Sequence, residues 1–138
     1  MLNALIPIIM AQCVVPYGFE PELILALVKV ESNFDAAAIG DEKKKEKSFG
    51  LGQVQLRTAR DMGFQGELKD LFIPEENLKY SCKYLAYLYS IKKNINESLR
   101  CYNLGLSACG KSKWRKPWDK HRYVGKIIRA KRKIIEGG

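Results

Sequence analysis

The chain has 138 residues, 46% hydrophobic and 28% charged, with 24 Lys and Arg against 15 Asp and Glu. Such a chain is long enough to bury a real core and too apolar to remain disordered. The net charge of +9 favours anionic partners, among them nucleic acid, acidic membrane and bacterial cell wall, without choosing between them.

Residues 3–15 read as a first helix that ends at Pro16-Tyr17-Gly18. The apolar stretch from Leu2 to Val15 lacks a preceding Lys or Arg and is interrupted by Pro7, so it is read as a buried helix rather than an export signal. It is also too short for a membrane span, and no stable membrane insertion is expected. Pro21 suits the first turn of a second helix, with Glu20 and Glu22 favourable for its dipole. That helix runs through Leu23, Ile24, Leu25, Ala26, Leu27, Val28 and Val30, apolar on nearly every side, and is expected at the centre of the core.

Residues 33–50 read as a loop with the solvated run Lys43-Lys44-Lys45-Glu46-Lys47, and Asp35 is read as capping it. The sequence Thr58-Ala59-Arg60-Asp61 suggests a short helix following Thr58, broken by Gly63 and Gly66. Pro74 opens the next helix, with Glu75 and Glu76 in its first turn and Leu78, Cys82, Leu85 and Tyr89 at core spacing. A further helix starts near Asn96 and carries Leu99, Tyr102 and Asn103. Residues 105–117 read as a basic loop, and a last helix begins near Asp119 with Tyr123, Ile127, Ile128 and Ile134 inward. No period-two segment is long enough for a core strand, and the chain is expected to be one mainly α-helical domain over residues 1–138 with a basic C-terminal helix.

Four cysteines, Cys13, Cys82, Cys101 and Cys109, allow three pairings, and the sequence selects none. They are read as buried thiols of a chain made in a reducing compartment. No Cys/His cluster suggests zinc, and no metal or cofactor is expected.

Glu31-Ser32 ends the central apolar helix. Apolar surroundings and the negative end of the helix dipole both disfavour the charged carboxylate. A carboxylic acid that keeps its proton near neutral pH is what glycosidic cleavage requires, because the leaving oxygen must be protonated. The string Leu25-Ala26-Leu27-Val28-Lys29-Val30-Glu31-Ser32-Asn33-Phe34-Asp35 resembles the catalytic segment of the soluble lytic transglycosylase domain family, related to goose-type lysozyme. Further matches follow in order: Ser48-Phe49-Gly50-Leu51-Gly52-Gln53-Val54, then Thr58-Ala59 and Gly63, Pro74-Glu75-Glu76-Asn77-Leu78 with Tyr84-Leu85, Leu99-Arg100-Cys101-Tyr102-Asn103-Leu104-Gly105, and Tyr123-Val124. The resemblance spans roughly residues 8–130. Gly52 stands where the family commonly has Met, which is expected to open part of the sugar cleft, and Cys101 replaces the usual Ala.

The resemblance implies a lysozyme-like fold and a lytic transglycosylase acting on peptidoglycan between N-acetylmuramic acid and N-acetylglucosamine, with Glu31 as acid and then base and a 1,6-anhydro product. Ser32 is implied to orient Glu31 or the N-acetyl group, Gln53 to bind a sugar, Tyr102 to lie against Glu31, Asn103 to shape the cleft and Tyr123 to contribute to substrate binding. A hydrolase using a second carboxylate, with Asp41 and Glu42 as the candidates, is the close competitor. His121 is read as a solvated surface residue.

The C-terminal third interleaves Trp114 and Trp118 with Lys111, Lys113, Arg115, Lys116, Lys120, Arg122, Lys126, Arg129, Lys131, Arg132 and Lys133. That pattern suits a nucleic-acid-binding module or attraction to anionic wall polymers. No nucleic-acid motif accompanies it, so peptidoglycan glycan strands are the expected partner, without nucleic acid, and the chain is expected to act as a monomer in the bacterial cell wall or periplasm. Without a clear signal peptide, delivery by a phage holin or within a virion is the expected route, with a specialised bacterial secretion system as the alternative.

Overall fold

The computed structural model describes residues 2–41 and 45–137. Helix α1 (Leu2–Ile9) continues through a π-helical segment (Met10–Val14) into the short α2 (Val15–Tyr17). Pro16 offers no N–H to the carbonyl four residues back and its ring crowds that carbonyl, a misfit the wider turn relieves. Gly18, at φ 75°, ends the run in the left-handed conformation. This first element is buried on one face only. Leu5, Ile9 and Cys13 point inward, whereas Leu2, Ile6, Met10 and, at 78%, Val15 are exposed. A helix at the edge of a bundle buries one stripe and leaves the opposite one in solvent, so the expectation of a buried helix is corrected.

Helix α3 (Pro21–Ser32) has Pro21 in its first turn and buries Leu23, Ile24, Ala26, Leu27 and Val28. Helix α5 (Pro74–Lys92) lies against the π segment, and α8 (Arg122–Ile135) packs along α3. Their facing stripes, joined by Leu99 of α6 (Ile95–Leu104), make the main core. Within α5 the inward stripe is Leu78, Cys82, Leu85 and Leu88; Tyr89 is 46% exposed, contrary to expectation, because the helix turns it away from the core that Leu88 enters.

A smaller lobe precedes α5. Strands β1 (Ile39–Gly40), β2 (Ser48–Phe49) and β3 (Val54–Gln55) form an antiparallel sheet in that order, with Ile39 opposite Phe49 and Phe49 opposite Val54. Helix α4 (Leu56–Asp61) follows at once, beginning before Thr58; no side chain caps it, because it starts directly from the strand. Phe49, Val54, Ala59, Phe64, Leu71 and Tyr80 close a second, separate core beneath this sheet. Asp35 accepts from the Ala37 N–H at 2.9 Å where the chain enters the lobe. Glu42, Lys43 and Lys44 lie outside the described residues.

Asn77 of α5 ties the two lobes together. Its Nδ2 donates to the carbonyls of Phe49 (2.8 Å) and Leu71 (2.7 Å), while its Oδ1 accepts from the Gly52 N–H (2.8 Å) and from Ser81 Oγ (3.2 Å). Gly50, at φ 74°, is required here: a Cβ would lie 2.3 Å from Asn77 Nδ2 and 2.6 Å from the Leu71 carbonyl.

The cysteines are not free thiols. Cys13 is bonded to Cys82 and Cys101 to Cys109, so the reading as thiols of a reducing compartment is overturned. The first bridge pins the π segment to α5. The second pins α6 to α7 (Leu106–Gly110), a short helix inside what reads from sequence as a plain basic loop. Arg100, buried, reinforces that junction by donating to Glu97 Oε1 (2.8 Å), to the Cys109 carbonyl (3.3 Å) and to Ser112 Oγ.

A 3-10 turn (Trp118–Lys120) leads into α8. His121 caps that helix, its Nδ1 accepting from the Val124 N–H at 3.1 Å. Its ring lies 4.7 Å from Trp114 and 5.9 Å from Trp118, so it is half-buried and not a solvated surface residue. Burial, and then the nearby Arg100, hold its pKa below the ordinary histidine value, consistent with a neutral ring accepting a hydrogen bond. Among the described residues no single helix is long and apolar enough to cross a membrane.

Candidate active site

Glu31 sits one residue before the end of α3, where that helix runs out between the two lobes. The chain leaves the helix through Asn33 (φ 51°) and Phe34 (φ 65°), two successive left-handed residues without glycine. Such backbone costs on the order of 1–3 kcal/mol per residue. Lys29 holds this exit, donating to Asn33 Oδ1 at 2.8 Å with its ammonium 5.8 Å from the Phe34 ring centre.

A cavity of about 170 Å³ opens in front of Glu31. The large lobe contributes Tyr84, Tyr102 and Asn103; the small lobe contributes Asp41, Ser48, Gln53, Gln55 and Thr58. On its other side Glu31 borders a second depression with Tyr123, so the carboxyl lies at a crest between two parts of one groove.

The carboxyl accepts a hydrogen bond from the Tyr123 hydroxyl at Oε2. Its pKa is raised to about 7. Burial is the main cause, and the negative charge of Asp41 adds to it; the Tyr123 hydrogen bond acts in the opposite sense. Tyr102 and Tyr123 are both held well above the ordinary tyrosine range by burial and by the Glu31 charge, so their phenols are proton donors at any working pH. Tyr102 uses that proton on the Gly52 carbonyl at 2.6 Å, fixing the loop between β2 and β3, and its ring tilts against Tyr84 at 5.6 Å.

Of the residues expected at the site, Glu31, Gln53, Tyr102 and Asn103 share the cavity wall and Tyr123 reaches Glu31 from the far side. Ser32 borders neither depression; its hydroxyl donates back to the Val28 carbonyl at 3.1 Å within its own helix. The Gln53 amide is engaged with protein: Nε2 donates to the carbonyls of Gly50 (2.9 Å) and Ala38 (3.2 Å), and Oε1 lies 2.9 Å from Ser48 Oγ. The Ser48 hydroxyl is also 3.1 Å from Asp41 Oδ2, and its single proton serves one acceptor at a time. Gly52 opens no space for sugar. A Cβ there would lie 2.2 Å from Ser81 Oγ and 3.0 Å from the Tyr102 hydroxyl, so these side chains fill the place a larger residue would take. Ser48, Gln55, Thr58 and Tyr84 carry no signal in the sequence that assigns them to a cleft; the pairing of the lobes brings them there.

A protonated carboxyl at a groove, flanked by hydroxyl and amide groups, can deliver and recover one proton on a polyhydroxylated ligand. The sequence profile of the transglycosylase SLT domain matches residues 9–124. The fold resembles an inactive variant of the lytic transglycosylase Slt from Pseudomonas aeruginosa, with TM-score 0.74 and 17% identity over 94% of this chain and 23% of that one. It also resembles the 70 kDa soluble lytic transglycosylase from Escherichia coli, with TM-score 0.74 and 16% identity over 95% of this chain and 24% of that one. The same values of score and identity hold for a 70 kDa soluble lytic transglycosylase in complex with bulgecin A, over 96% of this chain and 24% of that one. The chain thus spans about a quarter of the length of the solved structures it matches, and its fold is the lysozyme-like fold of lytic transglycosylases. It belongs to the transglycosylase SLT domain family.

Proposed function

We propose that this member of the transglycosylase SLT domain family cleaves the β-1,4 bond between N-acetylmuramic acid and N-acetylglucosamine in peptidoglycan, as a lytic transglycosylase with Glu31 as acid and then base. One observation carries the proposal: Glu31 is a carboxyl with its pKa raised to about 7, set on a groove lined by hydroxyl and amide side chains.

Glu31 in its protonated form gives its proton to the glycosidic oxygen, and the bond from that oxygen to the muramoyl C1 breaks. The substrate's own N-acetyl oxygen stabilises the positive charge at C1. The muramoyl C6 hydroxyl then attacks C1, its proton passes to the Glu31 carboxylate, and a 1,6-anhydro ring closes. The proton leaves Glu31 once and returns once, so the enzyme ends as it began. Tyr123 steadies the carboxylate in the interval, since its hydroxyl donates to it. The two disulfides support action outside a reducing compartment, in the cell wall or periplasm. Delivery by a phage holin or a virion belongs to the same proposal, and expression with and without a holin tests it: lysis only with the holin supports the route.

Asp41 gives a second reading specific support, because it lines the same cavity as Glu31 and its charge acts on Glu31. As a base for water, Asp41 would make the enzyme a muramidase hydrolase. Mass spectrometry of digested peptidoglycan separates the two. Anhydro-muropeptides from wild type and from Asp41→Asn alike support the transglycosylase. Reducing ends from wild type, lost in Asp41→Asn, support the hydrolase.

A further inference from the structure

On the large-lobe side, the wall of the cavity is mostly one short stretch of chain. Tyr102, Asn103, Leu104 and Gly105 supply all of it except Glu31 and Tyr84. All four lie inside the loop that the Cys101–Cys109 bridge closes. The same bridge seats α7, whose Leu106, Ser107 and Ala108 extend the wall along a neighbouring depression, opposite Arg57 and Asp61 of α4. Neither Cys13 nor Cys82 lines the groove.

This wall is weakly held by anything but the bridge. Helix α7 has five residues, too few to persist by itself. The chain turns into it at Gly105 (φ 91°), which has open space beside it, so packing does not fix the turn. Cys101, Cys109 and Leu88 form a small buried cluster, and Tyr84, Tyr102 and Leu106 pack on it. Both cleft tyrosines thus rest on the cluster that the bridge closes. The Leu106 backbone also hydrogen-bonds the Tyr84 hydroxyl, so the seat of α7 sets the place of that hydroxyl. With the bridge open, α7 would keep the Cys109 N–H bond to the Gly105 carbonyl (3.0 Å) and the long Arg100 contact with the Cys109 carbonyl (3.3 Å). Those holds leave the wall partly populated rather than lost. A chain with the usual Ala in place of Cys101 makes no such bridge, so the shared fold does not require it.

We propose that the Cys101–Cys109 bridge is a redox switch of substrate binding: closed, it holds residues 102–110 as the cleft wall, and open, it lets that wall leave its place while the rest of the fold persists. Opening is a two-electron reduction. A dithiol gives up two electrons and two protons, its own sulfurs join as a disulfide, and Cys101 and Cys109 become two thiols. Closing is the reverse, with a disulfide-class oxidant taking up the electrons and protons as two thiols. In a reducing compartment the chain therefore binds its substrate weakly, and it gains its cleft wall where disulfides form. For the identity of the substrate this rests on the peptidoglycan reading of the preceding subsection.

The test sets the two bridges against each other. Cys13–Cys82 closes the longer loop, so its loss lowers stability more. If both bridges were merely structural, binding would suffer in that same order; the switch requires the reverse. In a Glu31→Gln background, affinity is measured for a tetrasaccharide of alternating N-acetylglucosamine and N-acetylmuramic acid, at a temperature where circular dichroism shows the variants folded. Cys101→Ala/Cys109→Ala should bind roughly tenfold more weakly, because only part of the population then has the wall in place. Cys13→Ala/Cys82→Ala should bind as its parent does. The amides of Gly105 and Cys109 should lose protection from hydrogen exchange in the first variant and keep it in the second. Cys13→Ala/Cys82→Ala, with the cleft bridge alone, should lose affinity in dithiothreitol and regain it on reoxidation, with its far-UV circular dichroism unchanged. Unchanged affinity or unchanged protection in folded Cys101→Ala/Cys109→Ala overturns the proposal, as does a larger loss of affinity in the other pair. Should Cys13→Ala/Cys82→Ala not fold, the affinity and protection of Cys101→Ala/Cys109→Ala decide by themselves. A parent that binds no glycan, while the two amides still lose protection as expected, would defeat the peptidoglycan reading and leave the switch of the wall standing.

Discussion

The hydroxyl of Tyr123 donates its proton to Oε2 of Glu31, joining the first turn of α8 to the last turn of α3 across 92 positions of sequence. The bond favours the ionised carboxylate and so opposes the burial that raises the pKa to about 7. The opposition is functional sense for a group that must be acid in one step and anion in the next.

Tyr123→Phe removes the donor and leaves the ring that α8 packs on α3. With the restraining hydrogen bond gone, burial and the Asp41 charge act alone, and the Glu31 pKa rises further. The basic limb of the pH profile of kcat/KM, set by loss of the Glu31 proton, should move upward by about one unit, since a hydrogen bond to a charged group contributes roughly 1.5–3 kcal/mol and part of it remains through water. A limb that stays in place or moves to lower pH would show that Tyr123 does not act through Glu31.

Glu31→Gln keeps the shape and removes the transferable proton. Clearing of purified peptidoglycan should fall by roughly a hundred- to ten-thousand-fold. A folded variant that clears at near-normal rate would mean that another residue is the acid.

The same replacement has a stability signature. A carboxyl whose folded pKa lies above its unfolded one adds most to stability below the unfolded value, and that stability is lost as pH rises through the folded value. For Glu31 the window runs from about 4.5 to about 7. Wild type should therefore lose ground to Glu31→Gln as pH rises from 5 to 8, by on the order of 2 kcal/mol at the upper end, less than the full shift because the carboxyl faces an open groove. Paired thermal melts across that range check the sign.

Asn77→Ala strips partners from the Phe49 and Leu71 carbonyls and the Gly52 N–H, all held by one buried side chain. With at least two buried groups left unsatisfied, the loss should be about 3 kcal/mol, a fall in Tm of roughly 10 °C. Activity should suffer beyond the loss of stability, seen as a raised KM at temperatures where the variant is fully folded, because Gly52 also anchors Tyr102.

Reduction tests the bridges. In the chain-entropy picture the Cys13–Cys82 bridge, with separation 69, contributes about 4 kcal/mol, and Cys101–Cys109, with separation 8, about 2.5 kcal/mol. Cys13→Ala/Cys82→Ala should lower Tm more than Cys101→Ala/Cys109→Ala, and a reductant should lower the Tm of wild type below that of either pair.

What could be read in advance follows a physical line. Helix α3 and its start at Pro21 are visible because an uninterrupted apolar run and a first-turn proline are local signals. Glu31 stands out through the resemblance of the string from Leu25 to Asp35 to the family's catalytic segment, since a Glu that ends an apolar helix is by itself usually just exposed. The buried roles of Asn77 and Ser81 pass unnoticed, since a polar residue in a helix reads as solvent-facing until its partners, for Asn77 the carbonyls 28 and 6 positions away, are brought to it. The three strands have two residues each, too few to display a period. Cysteine pairing, and the capping of α8 by His121, depend on which helices lie side by side, and no single segment carries that information.

The Cys13–Cys82 bridge also bears on the order of events at the ribosome. Much of the partner surface of α1 and the π segment lies on α5, which is synthesised well after them, with 69 positions between Cys13 and Cys82. Until then Leu5, Ile9 and Cys13 face solvent together with Leu2, Ile6 and Met10, which remain exposed even in the finished fold. The nascent chain thus carries an incompletely partnered apolar segment for seconds, at ordinary elongation speeds of roughly 5–20 residues per second. During that interval chaperones and membrane-targeting factors compete for the segment with a docking site not yet made, and the long-range contact that ends the competition is also the one that oxidation makes permanent.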